Sequence, residues 1–278
     1  MISIFLKYLK FFSLLIAILF FVASLLIFYS REKDSRKFGE IAFDQTKRVH
    51  SDSERILTLN RWVYHNKGFE KNQSYFLFQA LGATPLQILE FGGDCADKSR
   101  LLMAMLSEIN IPSTLAMLYP CPDCPPGHTV VEAKYEKGWM VVDPVFDIDF
   151  PDDKGGFYGL SLLRQKHKLL VTRIQQLCKQ RGKGDKIERY DVMRTKYIYA
   201  RTVNWNKNII TKSIAFILSW FYDDPFLIRR PRFLDDPKLA IISVCITIFI
   251  FFIVLYAVIR KIEFRTKIII SKKNQIVM

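Results

Sequence analysis

Two uncharged apolar runs at opposite ends constrain what this chain can fold into more than any other feature of its sequence. The first extends from Phe11 to Tyr29 and the second from Leu239 to Ile259. At the rise of an α-helix, a run of about 19 residues reaches about 28 Å, close to the hydrocarbon thickness of a bilayer. A helix in a soluble core would show a polar stripe, and neither run does. Both therefore read as transmembrane helices, over residues 11–29 and 239–259. A cleaved signal peptide is the alternative for the first, with Val22-Ala23-Ser24 as a weak small-residue site. The apolar run continues past that site to Phe28, longer than a signal needs, so an uncleaved anchor is expected.

The charges around the second run set an expected orientation. Arg260, Lys261, Arg265, Lys267, Lys272 and Lys273 follow it, against one acid, Glu263. Basic tails remain in the cytoplasm, and two spans return both ends to the same side. The sequence thus predicts a cytoplasmic N-terminus (1–10), an extracytoplasmic domain (30–208, with its core at about 50–150) and a basic cytoplasmic tail (260–278). Between domain and second span, residues 209–238 read as an interfacial helix and linker. The apolar stretch Ile209 to Tyr222 is short and contains Lys212, which suits the headgroup region or a core helix better than a third span.

The formal net charge of +14 raises the question of nucleic acid, but no recognition motif accompanies it, and none is expected as a partner. Much of the excess flanks the apolar runs, where it suits anionic lipid headgroups of the bilayer. A further basic patch lies at 161–181, where Leu163, Leu170, Ile174 and Leu177 recur at helical spacing and predict one amphipathic helix.

The middle of the chain carries the chemistry. After Gly92-Gly93, Asp94 is a good N-cap, because its carboxylate can accept from the free amides of a first helical turn. Leu101, Leu102, Met105, Leu106 and Ile109 then recur at helical spacing, and Asn110 and Pro112 close the helix. Cys95 falls in the first turn, where unpaired amides and the dipole favour thiolate over thiol. Its charged neighbours Asp94, Asp97 and Lys98 argue against deep apolar burial.

A nucleophilic thiol needs a base, and the base needs an orienting group. His128 opens a run that reads strand, turn, strand, and Asp143 closes it, just before Pro144. A two-residue turn at Lys137-Gly138 would set Glu136 opposite Trp139 and His128 opposite Asp147. Asp143 then lies on the same face, four residues along, so that a bulge or twist must close the gap. On that arithmetic alone Asp147 competes with Asp143 as the orienting carboxylate.

These blocks together resemble the transglutaminase-like superfamily, which shares its helix-then-sheet logic with papain-like cysteine proteases. The resemblance lies in Gly93-Asp94-Cys95 leading a helix that ends Asn110-Ile111-Pro112, in His128 with Val131-Glu132, and in Gly138-Trp139 and Asp143-Pro144. It reaches back weakly to Trp62-Val63 and Asn66 and covers about residues 50–150. It implies an α+β fold, a helix packed on an antiparallel sheet. It further implies Cys95 as nucleophile, His128 as general base then acid, and Asp143, preferred to Asp147, as the group orienting His128. Many members carry an aromatic residue two positions after the histidine; Val130 stands here and is expected to alter the substrate groove.

Cysteine usage adds one feature. Cys121-Pro-Asp-Cys124 precedes His128, while Cys245 lies in the second apolar run. A disulfide suits an oxidising compartment and would stiffen the loop that delivers the histidine. A zinc site would need two more ligands, and a redox pair normally opens a helix, whereas Pro122, Pro125 and Pro126 surround this one. No cofactor or metal is expected. The chemistry implied is acyl transfer on a peptide or protein at the membrane surface, with water or an amine as acceptor. A silent binding scaffold and a thiol-disulfide protein using Cys121 and Cys124 are the competing readings.

Overall fold

The computed structural model describes residues 2–166, 168–205, 209–222 and 224–276. His167, within the basic patch, and the last two residues of the tail lie outside them. In chain order the main elements are α1 (Ile2–Thr46), α2 (Asp52–Asn66), α3 (Pro85–Phe91), α4 (Cys95–Glu108), β1 (Ser113–Leu118), β2 (His128–Tyr135), β3 (Gly138–Asp143) and β4 (Ile148–Asp149). They continue as α5 (Leu160–Gln165), α6 (Lys168–Arg181), α7 (Ile209–Leu218) and α8 (Pro237–Ile276). Contacts divide the chain into two units: residues up to Lys33 together with those from Pro237 on, and Asp34–Asp236.

The Asp34–Asp236 unit is α+β. Its sheet is antiparallel in the order β1-β2-β3-β4. Both faces are covered. Leu115, Met117, Val131, Ala133, Met140 and Val142 pack with Ile56, Leu59 and Val63 of α2 and Leu101, Leu102, Met105 and Leu106 of α4. The alternate residues Ala116, Leu118, Val130 and Val141 point the other way, onto Leu160, Leu163, Leu170, Ile174 and Leu177. Burial on both faces is why the strands read as nearly continuous apolar runs. Val130 belongs to this second core, so it packs the domain rather than lining a groove.

Two expectations need correction. The basic stretch predicted as one helix over 161–181 forms two, α5 and α6, with Lys166 in a non-helical conformation at the end of α5. The apolar positions picked from its periodicity are nonetheless the buried ones. The β2–β3 turn falls one residue earlier than expected. Tyr135 pairs with Gly138 and Lys134 with Trp139, leaving Glu136-Lys137 as the turn. Gly138 takes φ +144°, a conformation closed to most side chains, and so fits the first position after the turn.

The other unit consists of two helical segments running antiparallel. Near one end Lys10 pairs with Glu263, midway the rings of Phe21 and Phe249 stack 5.2 Å apart, and near the other end Lys238 donates to Ser30. Phe11, Leu19, Leu26, Phe251 and Val254 remain exposed, so the apolar surface is turned outward instead of into a core. Both helices are long and apolar enough to cross a membrane.

Candidate active site

Helix α4 begins at Cys95 because of its neighbours. The Asp94 carboxylate accepts from the amides of Ala96 and Asp97, at 2.9 and 3.1 Å, and Asp97 reaches back to the Asp94 amide. This reciprocal cap satisfies amides that would otherwise be orphaned, and such caps contribute about 1 kcal/mol. Gly93 is needed there: a Cβ on it would approach that of Asp97 to 2.3 Å. The helix is then fastened to the sheet next to the histidine, where Ser99 Oγ donates to the carbonyl of Thr129 at 3.2 Å. Asn110, at φ +61°, ends the helix as its sequence position predicts.

The observed register carries His128 toward Asp143. Continued past Val131–Val142, it sets Asp143 opposite Val130, two residues from His128 on the same face. Diagonal neighbours of this kind lie within reach of a ring, and no bulge is required. His128 Nε2 donates to Asp143 Oδ2 at 2.7 Å. The other carboxylate oxygen accepts from the amides of Val145 and Phe146. The Asp-Pro turn thus clamps the carboxylate, which is fully buried, and the carboxylate fixes the ring. Cys95 lies close enough to the same imidazole for its sulfur to favour the charged ring. The three side chains singled out from sequence therefore meet at one corner.

Burial works against charge on the His128 ring. The Asp143 carboxylate and then the Cys95 sulfur outweigh it, and the pKa is raised from 6.5 to about 10. An imidazolium held beside a sulfur is the partner that a nucleophilic thiolate requires. The rings of Phe146 and Tyr190 stand edge-on to His128, with centroids 5.6 and 5.9 Å away, and shield it from water.

Asp147 goes elsewhere. It lies in the β3–β4 turn at φ +50°, and its carboxylate accepts from Asn60 and Arg61. Cys121 and Cys124 are joined by a disulfide, with their Cα atoms 5.2 Å apart. No cluster of metal-binding side chains occurs among the described residues. Sequence reasoning missed Phe146, Tyr190 and Lys98. Phe146 follows Asp-Pro at a fixed offset and could have been noticed. Tyr190 arrives from a remote segment without a local signal. Lys98 reads in sequence as a sign that Cys95 escapes deep burial; Cys95 is half-buried, but Lys98 itself is 0% exposed, and Asp97 is also buried.

Fold and site together define a class: a helix-start thiol set against an imidazole–carboxylate pair on an antiparallel sheet. Residues 39–144 match the model of the Transglutaminase-like superfamily, a span containing Cys95, His128 and Asp143. No curated protein matches the chain. Among solved structures, similarity extends to a candidate cysteine protease from Cytophaga hutchinsonii, with 20% identity and a TM-score of 0.34 over 40% of this chain and 37% of that one. A candidate protease from Parabacteroides distasonis is 14% identical, with a TM-score of 0.28 over 40% of this chain and 26% of that one. A Rad4–Rad23 complex bound to a 6-4 photoproduct UV lesion gives 15% identity and a TM-score of 0.33, covering 86% of this chain and 59% of the other. This chain spans well under half the length of either protease.

Proposed function

We propose that the protein is a membrane-anchored thiol enzyme that transfers acyl groups through Cys95, His128 and Asp143. The observation carrying this reading is the buried His128–Asp143 hydrogen bond of 2.7 Å, with Cys95 near enough to the same ring to favour its charged form. The Cys95 sulfur attacks an amide or ester carbonyl and forms an acyl-enzyme. His128 gives its proton to the leaving amine and then takes one from the acceptor. The Cys95 backbone amide, at the start of α4, supplies part of the oxyanion site. Water as acceptor makes the enzyme a peptidase or amidase, and an amine makes it a transamidase.

The domain sits outside the cytoplasm, with both termini inside. The basic residues in the C-terminal part of α8, from Arg260 to Lys273, support this orientation, and a Cys121–Cys124 disulfide suits an oxidising compartment. Substrates are then peptides or proteins at the outer membrane surface. Helix α7 and the residues after it, with Phe216, Ile217, Trp220 and Phe221 exposed, form an interfacial element that keeps the domain at the lipid.

The test uses p-nitrophenyl acetate as acyl donor with the full chain in detergent. An acetyl adduct on Cys95, absent from Cys95→Ser and turned over slowly by His128→Ala, supports the reading. Acetylation confined to surface lysines would overturn it.

A further inference from the structure

Lys98 takes no part in the chemistry just described, yet it occupies a costly position. Its side chain is fully buried and its Nζ has no hydrogen-bond acceptor among the described residues. Burying an ammonium without a partner costs several kcal/mol, which an apolar side chain of similar length would avoid. The core does not need it, since Leu101, Leu102, Met105 and Leu106 already form the apolar face of α4. Lys98 follows Cys95 by one turn, and side chains so spaced have Cβ atoms about 5–6 Å apart.

The charges at this corner do not balance without it. With the thiol ionised, Cys95 and Asp143 carry two negative charges and the His128 imidazolium one positive. A surplus negative charge is costly at a corner where Asp143 is fully buried and Cys95 half-buried. We propose that the buried Lys98 ammonium is the counter-charge of the Cys95–His128–Asp143 array and holds the sulfur as thiolate. Lys98 is thus a positioning residue, acting through the field it exerts on Cys95 and Asp143. This inference rests on the thiol-enzyme reading.

Several groups face Lys98 from the surrounding elements. Asp143 comes from β3, and Cys95 precedes Lys98 by one turn on the same helix. Lys186 comes from the 3-10 segment Lys186–Arg189, with its ammonium 4.7 Å from the centroid of the Tyr64 ring of α2. Burial depresses the Lys98 pKa to about 8, Lys186 depresses it further and Asp143 pulls it back up. The side chain is therefore mainly charged at neutral pH.

The test measures alkylation of Cys95 by iodoacetamide at about pH 6, with Cys178, a free and likewise half-buried thiol on α6, as reference. Wild type, Lys98→Met and Lys98→Arg are compared as full chains in detergent. Lys98→Met is expected to slow Cys95 at least about tenfold, the change that one pH unit of ionisation brings. Lys98→Arg is expected to remain within a few-fold of wild type. Removing an unpaired buried charge leaves Lys98→Met melting at or above wild type; if it does not fold, Lys98→Gln replaces it as the neutral variant. Equal rates in wild type and the neutral variant overturn the role of Lys98 while leaving the thiol reading intact. Slowing by Lys98→Arg as strong as by Lys98→Met also overturns it, because the effect is then packing. Cys95 in wild type reacting no faster than Cys178 removes both readings.

Discussion

The end helices and the corner around Cys95 are specified in opposite ways. The uncharged runs within α1 and α8, residues 11–29 and 239–259, are apolar all round with most of that surface turned outward, so composition and length define them and no single residue is decisive. The corner depends on individual atoms: one imidazole, one carboxylate with both oxygens occupied, and one sulfur at the start of a helix. Tolerance to substitution should therefore differ sharply between the two regions. Polar changes at the corner should abolish chemistry while sparing the fold, and apolar exchanges along α8 should alter neither.

The sharpest way to break the contrast is Asp143→Asn. It keeps the shape but removes the charge that holds the His128 imidazolium, and acyl transfer is expected to fall by about 10²–10⁴-fold in a p-nitrophenyl acetate assay. The same variant bears on stability. Because His128 has its pKa raised to about 10 in the fold, its contribution is complete below its ordinary value of 6.5 and is lost as pH rises through about 10. Melting temperature should decline over that window in the wild type and decline less in Asp143→Asn.

Next in size, Val254→Arg places a charge within α8 and should cost about 2.5–3.5 kcal/mol of insertion, whereas Val254→Leu should cost nothing measurable. Membrane fractionation with alkaline washing reads this out. Asp94→Ala removes the cap of α4 and should lower stability by about 1 kcal/mol in chemical denaturation. The smallest effect is expected for Asp147→Asn. The carboxylate binds Asn60 and Arg61, away from the ring, so activity should stay unchanged within error.

Much of the corner was legible because its signals are local. Gly93-Asp94 marks a helix start, Asn110 and Pro112 mark its end, and Asp143-Pro144 marks where a strand stops. Register was not legible, since it depends on which pair of residues forms the turn. Placing that turn one residue late moved Asp147 opposite His128 and demanded a bulge that is absent. Here the family resemblance chose Asp143 where the arithmetic left two carboxylates open. The break between α5 and α6 escaped for a related reason: the apolar period runs through it unchanged. Lys98 shows a different limit. Sequence gives the sign of a charge and its helical position, but burial follows from the elements packed against α4, which no window around residue 98 contains.

The most direct test of the whole account is the protonation of one ring. Nitrogen-15 shifts of the His128 imidazole, assigned by comparison with His128→Gln, should report both nitrogens protonated from neutral pH up to about pH 9. A ring that loses its proton near the ordinary histidine value of about 6.5 would contradict it.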